Sequence, residues 1–537
     1  MSSFDPPADH PADPGSGFGP EYLGTERDPQ ETGEAPRRRR TALVAAAAVA
    51  VVAACGAGAY GVAQLMSGGT SPATAVPADA VGYVSLDLDP SASQKIEAIK
   101  IFRKFPSLRH ELRIGSRDDL RRSLFEGVLG DSDCKGLTYD HDVAPWIGER
   151  LAVAAVPSKG KLTPLVVLQV NDETKARAGV RALEKCDAAD LGPKTGIAFS
   201  GDYMLLTEKA ADATRMANAS QSSALADDPD YTAWLKRAGD SGIVTMFASK
   251  DAGTEILDEQ KSLTGRAGRA EARQLQATFK DFKGAAGVIR FHDGAAELEV
   301  ATSGLGGDVA AAKPATPGVG TLPSSTAVAL SFAFDRTGLE HYLDTTKDAL
   351  GDASLGALLG TGEKSGLHFP KDVETLLGGG FDVAFDGGAD LHSLVSSPDP
   401  AKVPAGIRLK GDADKITAVI DRLKAAAGPD AGVLKVRSRD GVVAVGTDTA
   451  YLDSLLGDGG LGRTDAFTRA VPDAARASSL MFVGFDAGNG WAVRLGDLLS
   501  HHDPQVRADI APLDALGMSS WQDKDGVQHG LVRLTTD

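Results

Sequence analysis

Val76–Asp89 reads VPADAVGYVSLDLD, and Leu322–Asp335 reads LPSSTAVALSFAFD. Each opens on an apolar residue and a proline, Pro77 or Pro323, and then places apolar side chains at every second position. The alternating sets are Val84, Leu86 and Leu88 in one stretch and Leu330, Phe332 and Phe334 in the other. Successive strand residues point to opposite faces, so a period of two marks a half-buried strand. The same strand written twice makes an internal repeat the first question to settle.

Outward from these strands the two halves stay parallel. DVAPWIGERLAVA from Asp142 matches DVETLLGGGFDVA from Asp372, sharing Asp, Val, a glycine (Gly148, Gly378) and a closing Val-Ala. PLVVLQVNDETKARAGVRAL from Pro164 matches PAGIRLKGDADKITAVIDRL from Pro404. Here a strand runs into Asp172 or Asp412, placed to cap a helix whose inward face is Ala176, Val180, Leu183 or Ile416, Ile420, Leu423. GDYMLLTE from Gly201 pairs with DGVVAVGTD from Asp440, DYTAWL from Asp230 with AFTRAV from Ala466, and GIVTMFAS from Gly242 with SLMFVGFD from Ser479. Each half then closes on a hairpin, turning at Asp293-Gly294 or Asp525-Gly526, where Asp-Gly suits a type I′ turn. The Gly, Ala and Pro-rich stretch 305–321 separates the copies. Hairpins with inserted helices predict an α+β fold: a duplicated unit with antiparallel sheets, repeat 1 over 76–304 and repeat 2 over 322–537.

The chain of 537 residues carries 56 basic and 73 acidic side chains, a net charge of −17 that argues against nucleic acid as the main partner. Residues 1–40, rich in Pro, Gly and acids, bury too little apolar surface to offset chain entropy and read as a disordered cytoplasmic tail. The tail ends in Arg37, Arg38, Arg39 and Arg40, and 41–66 follow without a charge. About 20 apolar residues cross a bilayer. The arginines before the span keep the tail inside and place the remainder outside: a signal-anchor, single-pass cell-membrane topology, with 67–75 as linker. Val52-Ala53-Ala54-Cys55 also fits a lipoprotein processing site, although the long polar segment before it and the apolar run after it favour the spanning helix.

Between Lys95 and Arg122 basic residues outnumber acids, and Lys100, Arg103, Lys104, Arg109, Arg113, Arg117, Arg121 and Arg122 form a candidate contact for anionic lipid headgroups or cell-wall polymer. The alternative is a solvated helix face whose arginines pair with neighbouring acids. Outside the span the cysteines are Cys134 and Cys186, which form one disulfide in an oxidising exterior or remain two thiols.

Ser132-Asp133-Cys134-Lys135 fits Ser-x-x-Lys, but its companion motifs are missing. No Gly-x-Ser-x-Gly elbow, Walker loop, His-Glu-x-x-His or paired Cys-x-x-Cys occurs. Gly378-Gly379-Gly380 precedes a strand and reads as a tight turn, and His501-His502-Asp503 lacks an evident third metal ligand. No cofactor, metal or catalytic residue is expected.

The arginine run and Ala-rich span, followed by PADAVGYVSLDLDPSASQKIEAIKIFRKFP, DVAPWIGERLAVAAVP and PLVVLQVND, resemble the actinobacterial membrane-anchored proteins of domain of unknown function family 3352. The resemblance implies an exported single-span protein and carries no activity, cofactor or site residue. The expected role is a non-catalytic binding or scaffolding module of the cell envelope, facing lipid, wall polymer or an envelope protein. The alternatives are an envelope-polymer hydrolase assembled from distant residues, or a carrier of lipid or another apolar ligand.

Overall fold

The computed structural model describes residues 71–88, 90–111, 121–122, 137–184, 195–255, 279–305, 316–333, 339, 366–368, 371–396, 399, 403–500 and 502–537. The expected tail and span lie outside them, as do Cys134, Cys186, Arg113, Arg117 and His501. Among the described residues no helix is long and apolar enough to cross a membrane.

The first half supplies β1 (Gly82–Asp87), β2 (Ile147–Ser158), β3 (Lys161–Val170), β4 (Gly196–Ser200), β5 (Tyr203–Thr207), β6 (Val244–Ser249), β7 (Gly284–His292) and β8 (Ala295–Ser303). The second supplies β9 (Thr326–Phe332), β10 (Phe381–Asp386), β11 (Ala405–Lys410), β12 (Lys435–Arg439), β13 (Val442–Gly446), β14 (Ser479–Gly484), β15 (Leu513–Gln522) and β16 (Gln528–Thr536). All sixteen lie in one sheet, in the order β4-β5-β3-β2-β1-β6-β7-β8-β16-β15-β14-β9-β10-β11-β13-β12. Every neighbouring pair is antiparallel. Read outward from the central β8·β16 pair, the two halves follow the same strand order. The fold is thus α+β, with the antiparallel strands of both halves in one continuous sheet. The pairing of β16 with β8 joins the halves edge to edge.

The alternating strands behave as their sequence requires. Val84 sits opposite Val153 and Leu330 opposite Val383, the same cross-strand pair in each half. Pro77 and Pro323 make equivalent single bridges, to Ala224 and Gly460. Two registers differ from the sequence alignment. Met246 faces Val84 as Met481 faces Leu330, which moves the β6–β14 correspondence by two residues and leaves each side chain on its expected face. Along β3 and β11 the shift is one residue: Val166 faces Val153, whereas Ile407 faces Val383.

One face of the sheet is clad by helices. Tyr83 and Phe247 pack there against Tyr231 and Trp234 of α3 (Pro229–Arg237), and Ala329 and Phe482 against Phe467 of α6 (Asp465–Ala470). Helices also lie over parts of the opposite face. The first, α1 (Ala92–Phe102), covers Phe291 with Ala98 and Ile101. The next, α2 (Glu173–Leu183), starts where Asp172 accepts from the Lys175 N–H at 3.0 Å and buries Ala176 and Val180. Its counterpart α5 (Ala413–Ala427) starts where Asp412 accepts from the Lys415 N–H at 3.2 Å and buries Ile416 and Ile420. Each such cap contributes about 1 kcal/mol.

Turns and boundaries complete the comparison with the sequence. Asp293 and Gly294 have φ of 47° and 68°, as a type I′ hairpin needs. The β15–β16 connection is longer: only Gly526 has positive φ, and the Asp523 carboxylate accepts from the backbone of Asp525 and Val527. This side chain organises a wider loop, so the expected type I′ turn is replaced. Gly380, φ 84°, ends α4 (Lys371–Leu377) before β10, and a Cβ at Gly379 would lie 1.8 Å from the Lys410 carbonyl. Pro72–Ala75 form a helical turn with Ala73 and Ala75 buried, and Val319 packs into the core of the second half.

Candidate functional site

On the face carrying α2 and α5, an apolar row crosses the sheet. In the second half directly opposed residues run Val445, Ile407, Val383, Leu330, Met481 and Met518. Val532 carries the row over the junction to Leu298, Ile289, Val244, Leu86, Leu151 and Leu168. Ile407 is 41% exposed and the others are half-buried. Strands lie about 4.8 Å apart, so these thirteen positions extend on the order of 58 Å.

The row reaches a cleft of about 470 Å³ beneath α5. Its floor is Phe381, Ile407, Leu409 and Val445 on three strands. Leu376 and Leu377 of α4 close one side, and Ile420, Leu423, Lys424 and Ala427 of α5 form the roof with Ala431 and Leu434 beyond it. The local sequence explains the space. The apolar stripe of α5 sits tightly on Leu409 and Val443 through Ile416 and Ile420, then runs out into alanines, and Gly428, φ 79°, turns the chain away. Small side chains at 427 and 431 leave room that larger ones would fill.

Lys424 is the charged residue of this lining. Its ammonium donates to the Leu434 carbonyl at 2.9 Å, and among the described residues no carboxylate pairs with it. The other cations of α5 differ: Lys415 pairs with Asp412 at 2.7 Å and Arg422 with Asp372 at 2.7 Å.

A second, polar cleft of about 460 Å³ is lined by Asp486, Asn489, Gly490, Val493, Arg494, Asp497 and Arg507. Its charges serve the surrounding chain. Arg494 donates to the carbonyls of Ala389 and Gly488, and Asp497 pairs with Arg507. Burial, with the carboxylates of Asp537 and Asp514 nearby, holds the Asp486 carboxyl above its usual range.

Two charge clusters lie within the sheet. Asp382, fully buried, accepts from Ser331 at 2.6 Å and from Arg408 at 2.8 Å. Arg408 also reaches Thr321 and the carbonyls of Leu455 and Gly318, tying the end of the expected linker to the sheet. At the junction Arg290 pairs with Glu297 and Glu299, and Arg533 of β16 with Glu297 at 2.9 Å. Beside it His529 meets Asp523 at 3.1 Å and stacks on Trp521. Burial lowers the His529 imidazole despite the opposing pull of Asp523.

Of the basic residues singled out from the sequence, several contact the chain itself. Lys100 pairs with Glu97 at 2.7 Å, Lys104 reaches Thr536 at 2.8 Å, Arg121 the Ile147 carbonyl at 3.3 Å and Arg122 pairs with Asp140. Arg103 is exposed and Arg109 lies in the short helix Pro106–Glu111. The cleft under α5 was not among the sequence candidates. Its lining comes from four separate segments, and its signal was negative: alanines where the helical stripe should carry larger residues.

Residues 43–289 match the family model described as Protein of unknown function (DUF3352). No curated protein and no solved structure gives a match. The matched segment runs from ahead of the first strand into β7 and leaves the second half outside it, so the chain is a DUF3352 domain-containing protein.

Proposed function

We propose that the region after residue 66 is a non-catalytic binding module for an apolar chain, held at the outer face of a cell membrane by the span 41–66. The observation that carries this reading is the cleft under α5, whose lining among the described residues is apolar apart from Lys424 and whose 470 Å³ falls in the range of about 300–1,000 Å³ usual for small-molecule sites. Ile407, which is exposed and belongs to both the cleft floor and the apolar row, adds support. Each methylene withdrawn from water contributes about 0.8 kcal/mol, so a long chain has a driving force without any polar recognition. Among the roles expected from the sequence, the carrier of an apolar ligand is the one this geometry favours. A hydrolase needs titratable groups converging on its pocket, and among the described residues this lining offers one ammonium.

The anchor, the cytoplasmic tail and the cell-envelope location rest on the arginines at 37–40 followed by the uncharged stretch 41–66. The common strand order and the equivalent pairs Val84–Val153 and Leu330–Val383 support the reading of 76–304 and 322–537 as two copies of one unit.

The test is binding of a neutral apolar fluorophore, N-phenyl-1-naphthylamine, to the purified full chain. Wild type is expected to enhance its emission saturably, and Ile407→Asp, which places a charge on the cleft floor at an exposed position, to abolish that saturable component. Equal binding by both chains would remove the cleft from the function.

A further inference from the structure

Building on that reading, we infer that the cleft's occupant is a single-chain amphiphile with a carboxylate head, a long-chain fatty acid, seated with its head at Lys424 and its tail over Ile407. The two other cations of α5 each have a carboxylate within ion-pair distance, while Lys424, at the rim of an apolar cleft, has a backbone carbonyl alone among the described residues. An ammonium carries three N–H donors, and Leu434 takes one. Two donors and one full positive charge remain beside the mouth. They match one carboxylate; a phosphate monoester, with nearly two charges and more acceptor oxygens, calls for an arginine fork or several backbone donors. Among the described residues the lining places no guanidinium there.

Size agrees with charge. If a methylene takes about the ~30 Å³ of a liquid water, 470 Å³ holds on the order of fifteen. The tail has a direction as well: Ile407 belongs both to the cleft floor and to the apolar row, so a chain entering at Lys424 continues over Ile407 toward Val383 and Leu330. Aliphatic side chains at each step suit a saturated tail.

The experiment uses the full chain in nanodiscs with two diazirine-bearing probes of equal length, a hexadecanoic acid and the corresponding hexadecanol, crosslinked by light and mapped by peptide mass spectrometry. The acid is expected to label the peptides containing Ile407 and Leu423 more strongly than the alcohol. Lys424→Gln, which keeps a donor for the Leu434 carbonyl, is expected to cut the acid's labelling about fivefold, the upper range for one exposed ion pair, and to leave the alcohol's unchanged. If acid and alcohol label the cleft equally and Lys424→Gln moves neither, the head-group inference fails while the apolar cleft stands. If neither probe labels these peptides, the function proposed for the cleft fails with it.

Discussion

The two halves place the same strands around different interiors. In the first, Trp146 is 3% exposed and lies against α2 so closely that a Cβ on Gly179 would come within 2.4 Å of its indole nitrogen. By the sequence alignment the matching residue in the second half is Leu376, and it lines the cleft under α5. On the helix-clad face the contrast reverses. The row Ser85, Ala152, Val167 of the first half corresponds in pairing to Ser331, Asp382, Arg408 of the second. The first half is therefore filled on the face where the second is open, and apolar where the second is charged. A shared backbone register constrains which positions meet; side-chain volume and charge at those positions decide whether they form core or site.

Removing the charge that distinguishes the second half carries the largest effect. Asp382→Ala leaves Arg408 buried without its carboxylate and is expected to cost about 3–5 kcal/mol in chemical denaturation. The double variant Asp382→Ala, Arg408→Val imports the first half's pair and is expected to recover most of that loss, because two well-packed apolar residues replace a buried pair at little cost. Additive losses would show that the halves differ in more than this pair.

Trp146→Leu makes the converse change. It opens in the first half the space that Leu376 leaves in the second, at an expected cost of about 2–4 kcal/mol from lost packing. A loss below 1 kcal/mol, by the same measurement, would mean that α2 collapses onto the gap, and that the cleft beneath α5 needs more than a missing indole.

The smallest effect belongs to the junction. Burial keeps the folded His529 imidazole below its ordinary value of 6.5. As pH falls the unfolded chain is protonated first, so the stability this residue contributes is present above about 6.5 and is lost as pH falls toward the folded value. Thermal melts across pH 7.5 to 5 are expected to fall more steeply for wild type than for His529→Gln. Parallel curves would assign the acid sensitivity elsewhere.

Much of the fold was legible because it depends on local periodicity. Val84 and Leu330 declare their strands, Asp172 and Asp412 their helix caps, and Asp293-Gly294 its hairpin. The two-residue shift between β6 and β14 was not legible because alternation fits registers two apart equally well, and the one-residue shift between β3 and β11 because Leu165–Leu168 are apolar at successive positions. Nor was the β8·β16 junction, where backbone groups of two ordinary strands join the halves. The cleft escaped because it is set by what is small at 376, 427 and 431. Lys424 reads as one more helix-surface lysine until three dimensions show no carboxylate paired with it among the described residues.

The central claim, that the second half holds an acyl chain where the first holds Trp146, is tested most directly by Leu376→Trp. The measurement is mass-spectrometric quantification of fatty acid extracted from the purified full chain and from this variant, each corrected for bulk membrane lipid. The account predicts about one fatty acid per wild-type chain and none above background in Leu376→Trp, with the variant folded. Equal amounts from both would contradict it.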